Sequence, residues 1–335
     1  MFAGSGLRWL HGNKSTLRAI MSFWKDNPCV PTWPATAVAW WSGAPPKILE
    51  PTPPLRGLTP VPGLALARAT PAEAPEICEF LGRWFTTSVR ARCDLPPAVL
   101  AAALTEGRMD MWIVRRQGGL VATLGRRWIR DAAIGPARWP RAGIVDYFAV
   151  HPAVRSRGVG RWLLATLQTS TARPIPPHFI LWEGFSIGFS TIPPLAMGRY
   201  WICQAGQAQA SNPNVKRIAE PAAAWLALTA TSFLHSTLDS GSVSVWTCGT
   251  EGGTEGTVAI QDLYHRSVPD GRRMAMIVAA SSPAAVAAFA AASPWPILLA
   301  DRAWGAEWTP DSPFQWIGYN VLAGTVTTSY PCFGV

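Results

Sequence analysis

Two arginines and two glycines lie close together in the order Arg155-Ser-Arg-Gly158-Val-Gly160. The residues before them, 144–150, predict a strand, and residues 159–168 predict a helix. The first N–H groups of a helix have no intrahelical partner and bind anions such as phosphate, and glycine lets the backbone approach an anion closely. The sequence therefore predicts a pyrophosphate site of a kind distinct from GxxxxGK(S/T) and GxGxxG. The alternative is an ordinary glycine-rich helix start with solvated arginines.

The other residues that could do chemistry are dispersed. The six cysteines never come closer than fifteen residues, so no CxxC spacing exists, and none of the five histidines forms HxxxH or HxE. No metal site is expected, and free thiols indicate a reducing, cytoplasmic location. No Ser, Cys or His nucleophile is evident, and we expect Cys203 and His151 to be packing residues.

Charge is unevenly distributed along the 335 residues. Residues 1–70 carry seven basic and two acidic groups, residues 71–210 sixteen and nine, and residues 211–335 six and nine. A positive first two-thirds suits a polyphosphate, a nucleic acid or an anionic membrane face. The 49% hydrophobic content excludes a disordered chain and predicts one large or two moderate globular units.

Periodicity predicts the elements that must position these residues. In the first part we expect helices at 72–85, 96–104 and 159–168, a hairpin of 111–115 with 120–130 around Gly118-Gly119, and strands at 144–150 and 179–182. In the last third we expect helices at 221–235 and 283–292, with strands at 242–248, 256–263, 273–279, 296–299 and 314–321. The order repeats in outline, which indicates a mixed α/β fold with an internal duplication.

Three segments need separate interpretation. Residues 274–300 carry no charge, but three prolines divide them into strand, helix and strand rather than a membrane span. Residues 1–20 are basic and are either a transit-like or surface-binding arm or a disordered tail before a start at Met21. Residues 21–65 are rich in Pro and Trp, which predicts an extended segment that wraps a surface.

Four segments together resemble the glycylpeptide N-myristoyltransferase family, whose members consist of two GNAT-like halves. Phe23-Trp24-Lys-Asp-Asn-Pro-Cys-Val-Pro resembles the family's FWDTQPVP, and Val145-Asp-Tyr-Phe-Ala-Val-His151 with Arg155-Ser156 resembles EINFLCVHKKLRSKR. Pro194 with Gly198-Arg-Tyr-Trp201 resembles P-x-x-T-x-RYW. Asp311-Ser-Pro-Phe-Gln-Trp-Ile-Gly-Tyr319-Asn320 resembles GDGxLxYYxYNW. The 155–160 segment itself resembles the coenzyme A loop of the GNAT superfamily.

This resemblance implies two tandem GNAT-like halves, residues 21–210 and 211–335, related by a pseudo-two-fold axis around one continuous sheet. It implies a monomer that transfers the acyl group of myristoyl-CoA, a co-substrate, to the N-terminal glycine of a peptide. The implied coenzyme contacts are Phe23, Trp24, Phe148, Ala149, Val150, Arg155, Ser156, Arg157, Gly158, Val159 and Gly160. The implied peptide contacts are Asp146, Tyr200, Asp311 and Tyr319, with Asp311 alternatively a turn former before Ser-Pro.

The resemblance also implies which groups act as the catalytic base and as the hydrogen-bond donors to the oxyanion. The chain ends fifteen residues after Asn320, so the α-carboxylate of Val335 corresponds to the family's base, unless it is an ordinary surface terminus. The backbone N–H groups of Tyr147 and Phe148 correspond to the donors for the oxyanion.

Some residues depart from the family pattern. Asp146 stands where the family has Asn, Met197 replaces a threonine, and residues 85–94 hold one acid and two arginines where the family has an acidic loop. Gly158-Val-Gly160 is more typical of an acetyltransferase. Two alternatives therefore stay open: an N-acetyltransferase that uses acetyl-CoA, and a non-catalytic module whose basic part contacts membrane or ribosomal RNA.

Overall fold

The computed structural model describes residues 38–39, 41–49, 59–85, 91–170, 176–183, 194–206, 214–230, 232, 234–238, 242–249, 255–318 and 320–323. The helices are α1 Ala74–Trp84, α2 Pro97–Thr105, α3 Val159–Thr169, α4 Ala222–Thr229 and α5 Pro283–Ala292. The strands are β1 Lys47–Ile48, β2 Ala65–Arg68, β3 Ala91–Cys93, β4 Met109–Arg116, β5 Gly119–Ile134, β6 Ala137–Val150, β7 His178–Glu183, β8 Ala196–Gln204, β9 Val215–Arg217, β10 Leu234–His235, β11 Val243–Gly249, β12 Glu255–Ser267, β13 Arg273–Ala280, β14 Ile297–Ala300, β15 Thr309–Gly318 and β16 Val321–Leu322.

One continuous sheet joins fourteen of these strands. Its main path is β2-β4-β5-β6-β7-β15-β8-β14-β13-β12-β11-β9, with β10 paired to β5 and β3 paired to β12. Most neighbours are antiparallel, but β6–β7 and β13–β14 are parallel, and each parallel pair is connected through a helix, α3 and α5 respectively. The expected mixed α/β fold around one central sheet is therefore confirmed.

The first part of the chain, up to β8, and the second part, from β9 onward, exchange strands reciprocally. The antiparallel set β4-β5-β6 leads through α3 to β7, and β7 then pairs with β15 from the last part of the chain. The set β11-β12-β13 leads through α5 to β14, which pairs with β8 from the first part. Two short strands repeat the exchange, because β3 pairs with β12 and β10 pairs with β5. This arrangement has the pseudo-two-fold character that the repeated element order predicts.

Side-chain alternation puts helices on both faces of each part. In the first part, Ile113 packs with Ile77 and Leu100 of α1 and α2, whereas Val114 packs with Leu163 of α3. Successive residues of a strand point to opposite faces, so these two clusters lie on opposite sides of the sheet. In the second part, α4 packs in the central cluster through Trp225, and α5 packs in another through Phe289.

The helix expected at 221–235 is wrong in its second half. Helix α4 ends at Thr229, and Leu234–His235 instead form a strand that pairs with β5 at Ala133 and Ile134. Ala and Leu favour helix over 222–228, but β-branched and hydroxyl-bearing residues follow them. The indole of Trp225 donates to the Ser236 carbonyl at 2.7 Å, which fastens the returning chain onto the helix.

The uncharged segment 274–300 forms β13, α5 and β14, as predicted. Ser282 begins α5, since its side chain accepts from the Ala285 N–H, and Pro283 occupies the first turn. Among the described residues, no helix combines the length and the apolar composition needed to cross a bilayer.

Candidate functional site

The loop at residues 155–160 presents a row of free backbone donors. Strand β6 ends at Val150, a short 3₁₀ turn covers Pro152–Val154, and α3 begins after Gly158, which has φ 85° and ψ 3°. Ser156 also has a positive φ, 63°. Among the described residues, no acceptor bonds the N–H groups of residues 156–160. Left-handed residues next to helical ones turn successive N–H groups toward one side, which makes an anion-binding concavity.

Two arginines add charge to this loop. Arg155 Nε donates to the Val150 carbonyl at 2.9 Å, and Arg157 Nη2 donates to the Pro62 carbonyl at 3.0 Å. Neither guanidinium forms a salt bridge within the described part of the chain. Both positive charges are therefore held in place by neutral carbonyls, and no carboxylate of the described residues pairs with them.

The base of the loop is rigid. Val154, Val159, Leu163 and Leu167 are buried in one cluster with Leu124 of β5. His151 Nδ1 accepts from the Ala153 N–H at 3.1 Å, and its ring meets the edge of Trp84 at 4.5 Å. His151 therefore packs on Trp84, as predicted, and its ring nitrogen also caps the start of the loop.

Beside the loop, the sheet opens. Strands β6 and β7 pair only at Gly143–Val145 with His178–Ile180, and β7 then pairs with β15. At the same level β6 carries a bulge, because Thr123 pairs with Ala149 and Gly125 pairs with Asp146, so that Tyr147 and Phe148 share one partner. The opening leaves backbone groups of β6 next to a gap between two parallel strands.

Tyr147 is strained at this bulge. Its φ is 49°, a left-handed conformation that costs a non-glycine residue about 1–2 kcal/mol. Its carbonyl accepts from Thr123 Oγ1 at 2.7 Å, and its buried ring packs with Phe85 at 5.6 Å between centroids. Its N–H donates to Asp146 Oδ1 at 2.7 Å, so this amide would have to leave that carboxylate to stabilise an oxyanion.

Asp146, next to the bulge, carries a charge that also acts on a histidine of the second part of the chain. It pairs with Arg127 at 2.8 Å on β5. The side chain of His265, on β12, lies within electrostatic reach of both groups, and its ring stands 6.2 Å from that of Phe85. Burial lowers the pKa of His265 below its ordinary value, although the nearby Asp146 and Asp262 carboxylates oppose this. His265 was not among the predicted site residues, because one polar residue in a strand carries no spacing signal.

The other expected site residues are distributed as follows. Tyr200 is buried on β8 and stacks on Phe314 at 4.6 Å, and Asp311 lies on the neighbouring β15, where its carbonyl accepts from Arg199 at 3.0 Å. Asp311 Oδ2 accepts from Ser312 Oγ at 3.0 Å, a contact compatible with the turn-forming alternative. Phe23, Trp24, Tyr319 and Val335 lie outside the described residues.

The equivalent helix start in the second part is closed. Ser282 Oγ accepts from the Ala285 N–H at 3.2 Å, and Ser281 Oγ accepts from the Thr257 N–H at 2.8 Å. A Cβ at Gly256 would stand 2.4 Å from that of Ala285, so α5 packs directly on β12. Of the two equivalent helix starts, the one at α3 has the geometry for a phosphate.

The described residues support neither a cysteine nucleophile at Cys203 nor a metal site. Burial raises the pKa of the Cys203 thiol, which makes it a poor nucleophile. Within the described ranges, no three His, Cys, Asp or Glu side chains come together in a group that could hold a metal ion.

This fold is that of the N-myristoyltransferases. A Saccharomyces cerevisiae N-myristoyltransferase with bound myristoyl-CoA superposes with a TM-score of 0.63 and 10% identity, over 92% of this chain and 94% of that one. Another structure of that enzyme with bound myristoyl-CoA gives a TM-score of 0.60 and 10% identity, over 82% of each chain. A third, with myristoyl-CoA and inhibitors, gives 0.60 and 8% identity, over 85% of this chain and 88% of that one. At the level of sequence, no family model and no curated protein matches.

Proposed function

We propose that the protein is an acyl-CoA-dependent N-acyltransferase, a divergent N-myristoyltransferase that transfers a myristoyl group to the N-terminal glycine amine of a peptide or protein. The observation that carries this proposal is the open row of amides at 156–160, flanked by Arg155 and Arg157 and placed beside the gap between β6 and β7. Support for the long acyl chain comes from the fold, which is shared with structures that hold myristoyl-CoA.

The 155–160 loop would bind the coenzyme pyrophosphate. Within the described part of the chain, five N–H groups have no acceptor and two guanidinium groups have no salt bridge, and these groups would supply charge-assisted hydrogen bonds, which are shorter and stronger than neutral ones. Phosphate at a helix start also meets the positive end of the helix dipole. The first part of the chain, which has the basic excess, thus holds the anionic co-substrate.

The thioester would lie at the bulge. The pantetheine arm can enter the gap between β6 and β7 as an added strand, because both strands have backbone groups there that no longer pair with each other. This brings the thioester carbonyl to the N–H group of Phe148 and to that of Tyr147, which exchanges the Asp146 carboxylate for the developing oxyanion. The strain at Tyr147 is consistent with such a role.

The amine would approach from the side of β3 and β12. Its nitrogen attacks the thioester carbon directly, the C–S bond breaks, and coenzyme A leaves. This side carries Asp146, whose carboxylate suits an N-terminal ammonium. Because Arg92 and Arg266 lie opposite each other where β3 pairs with β12, we expect little preference for a lysine next to the glycine.

An N-acetyltransferase is the second candidate, and the Gly158-Val-Gly160 sequence favours it. A direct test incubates the purified chain with myristoyl-CoA or acetyl-CoA and a peptide that begins with glycine. The matched control is the same peptide with its amine acetylated, and mass spectrometry reports the product. Myristoylation of the free peptide alone supports the proposal.

Acetylation without myristoylation would select the second candidate. Binding of acyl-CoA with no transfer to any N-terminal glycine peptide would indicate a non-catalytic module.

A further inference from the structure

Guanidinium and indole groups alternate across strands β4, β5 and β6, on the face of the sheet that also packs on α3. The Arg126 guanidinium stands 5.0 Å from the ring centre of Trp112 and 4.0 Å from that of Trp128. The Arg141 guanidinium stands 3.6 Å from the ring centre of Trp128. Gly143 lies opposite Trp128, and a Cβ there would stand 3.0 Å from the Arg126 side chain, so the missing side chain leaves room for this order. The resulting arginine–tryptophan stack runs from the buried Arg126 to the exposed Arg141.

Asp110 holds the inner part of the arginine–tryptophan stack in place. Its carboxylate pairs with Arg126 at 2.5 Å and with Arg68, and it accepts from Trp128 Nε1 at 2.9 Å. The indole of Trp128 is thereby fixed at its nitrogen. Because the Arg141 guanidinium lies on this fixed ring, its plane is held in one orientation.

The outer end of the stack brings two like charges together. Arg141 on β6 is directly opposite Arg130 on β5, and both residues are exposed. Like charges at directly opposite positions of a sheet are destabilising, and burial and the charge of Arg130 both lower the pKa of Arg141, against the opposing effect of Asp110. Among the described residues, Arg141 donates to the Gly107 carbonyl at 3.4 Å and pairs with no carboxylate. An anion bound at this pair would therefore remove a repulsion that the free protein carries.

Two more arginines lie around this outer end. Arg108 directly precedes β4, and its carbonyl accepts from the Trp128 N–H at 2.8 Å. Arg68 ends β2, which pairs with β4. Two carboxylates oppose the cations, Asp110 within the stack and Glu106, which pairs with Arg108 at 2.5 Å. Among the described residues of this cluster, positive charges thus exceed negative ones by three, and the cations are Arg68, Arg108, Arg126, Arg130 and Arg141.

This arginine cluster is separate from the loop at 155–160. Strand β6 begins beside the cluster and ends at Val150, just before the loop. Arg141 and Val150 are nine residues apart, and a strand advances about 3.3 Å per residue, so about 30 Å separate the two along the strand. The cluster therefore calls for a ligand other than the pyrophosphate at the loop.

The chemistry of the cluster favours a single-stranded nucleic acid over a bilayer or an acidic protein. All five cations are arginines, whose planar guanidinium group binds phosphate through two parallel hydrogen bonds and stacks on aromatic rings, including unpaired bases. A carboxylate partner would use the charge but not the open face of a stacked guanidinium group. A bilayer contact needs apolar side chains that enter the bilayer, but the large exposed hydrophobic residues of the described structure lie on other elements, at Val38, Trp41, Met197, Leu226 and Val268.

We propose that the outer end of the stack binds a single-stranded nucleic acid, with a phosphate between Arg130 and Arg141 and an unpaired base on the guanidinium plane of Arg141. The phosphate neutralises the two opposed charges. The base extends the alternation of rings and guanidinium groups by one step. This inference is independent of the proposed acyl transfer, because neither arginine lies at the loop or at the bulge.

Fluorescence anisotropy with a labelled oligothymidylate of about 20 nucleotides tests this site. R130Q/R141Q removes the two opposed charges, and the single variants serve if the double variant fails to fold. The matched control R272Q/R302Q removes two arginines elsewhere, and Arg302 also lies over an indole, 5.3 Å from the ring centre of Trp304. R141K keeps the charge without the planar group. An abasic oligomer of the same length keeps the phosphates without the bases, and circular dichroism checks the fold of each variant.

We expect R130Q/R141Q to raise the Kd of oligothymidylate roughly 10- to 100-fold, and R272Q/R302Q to raise it less than about threefold. The slope of log Kd against log salt should fall by about 1.4 in R130Q/R141Q, the value for two phosphate contacts on a single strand. R141K should bind oligothymidylate about 5-fold or more weakly than wild type, because a stacked base is lost. On the abasic oligomer, R141K and wild type should bind equally.

Equal losses of affinity in the two double variants would reduce the binding to overall charge and overturn the site, as would wild-type affinity in folded R130Q/R141Q. Equal affinity of the wild-type chain for oligothymidylate and the abasic oligomer would show a polyanion contact without stacking, which also contradicts the inference. Binding to phosphatidylserine vesicles that R130Q/R141Q abolishes, with oligothymidylate left unbound, would assign the cluster to a membrane instead. Failure of the wild-type chain to acylate a glycine peptide would reject the proposed function and leave this inference intact.

Discussion

Replacement of Gly158 by alanine separates phosphate binding from backbone strain. Gly158 has φ 85°, and a Cβ built on it meets no atom within 4 Å. The free protein therefore loses only the ease with which glycine adopts the left-handed conformation. Gly271, in the turn between β12 and β13, has φ 69° and also no atom within 4 Å of a Cβ. G271A is thus a matched control far along the chain from the loop.

Both substitutions should destabilise the fold by a similar amount. Alanine in the left-handed region costs about 1–2 kcal/mol. In G158A the added methyl group should also hold the phosphate away from one of the amides at 156–160. Loss of one hydrogen bond to a charged group is worth about 1.5–3 kcal/mol, so the Kd of coenzyme A should rise roughly 10- to 100-fold.

Urea unfolding measures the first effect, and isothermal calorimetry with coenzyme A measures the second. We expect equal losses of stability in the two variants, with weakened binding in G158A alone. Unchanged affinity in folded G158A, or an equal loss of affinity in G271A, would refute the placement of phosphate at this loop.

Two further predictions concern the buried polar network under the sheet. Burial, together with Arg126, lowers the pKa of His178 from 6.5 to about 3, so the unfolded chain binds a proton that the fold rejects between these values. The free energy of unfolding should therefore decrease as the pH drops below about 6.5, by roughly 2 kcal/mol between pH 7 and pH 5. Urea titrations at both pH values should show that H178Q lacks this decrease. An equal decrease in H178Q and wild type would contradict this. Asp110 and Arg126 are 6% and 3% exposed and pair at 2.5 Å, so D110N should lose about 3–5 kcal/mol in the same assay because it removes the carboxylate charge opposite a buried guanidinium. The control is E79Q, which breaks the exposed pair with Arg83 at 2.6 Å and should change stability by less than about 1 kcal/mol. Equal losses of stability in D110N and E79Q would contradict a stabilising role for the buried pair.

Local features of the fold could be read from the sequence. The 155–160 loop depends on a strand end, a helix start and two glycines within a few residues, and all of these are visible in the order of residues. The hairpin near Gly118 likewise follows from residues at its own turn, where Gln117 and Gly118 have φ of 49° and 84°.

Long-range pairing could not be read in this way. The hydrophobic patterns of β7 and β15 do not predict that these strands pair. Alternation of apolar and polar residues determines which face of a strand is buried but not which strand lies next to it. The short strands β3 and β10 are also held by partners from the other part of the chain. The interpretation of 221–235 failed for the same reason, since pairing with β5 outweighs the local helix preference.

The parts of the candidate site formed by the main chain of one loop or strand could be predicted from the sequence. The parts that depend on pairing between strands of the first and second parts of the chain could not. Tyr147 and Phe148 were expected as donors, but the strand pattern does not show the bulge or the positive φ of Tyr147. His265 reaches the bulge only because β12 pairs with β3, so its position depends on contacts more than a hundred residues apart.

A crystal structure with a non-hydrolysable 2-oxoalkyl thioether analogue of myristoyl-CoA, in which a methylene group separates the sulfur from a ketone, tests the central claim most directly. We predict pyrophosphate oxygens at hydrogen-bond distance, about 3 Å, from the N–H groups of residues 156–160. The carbonyl that replaces the thioester should lie at the Tyr147–Phe148 bulge. Coenzyme bound at another surface, with those five amides facing water, would contradict the claim.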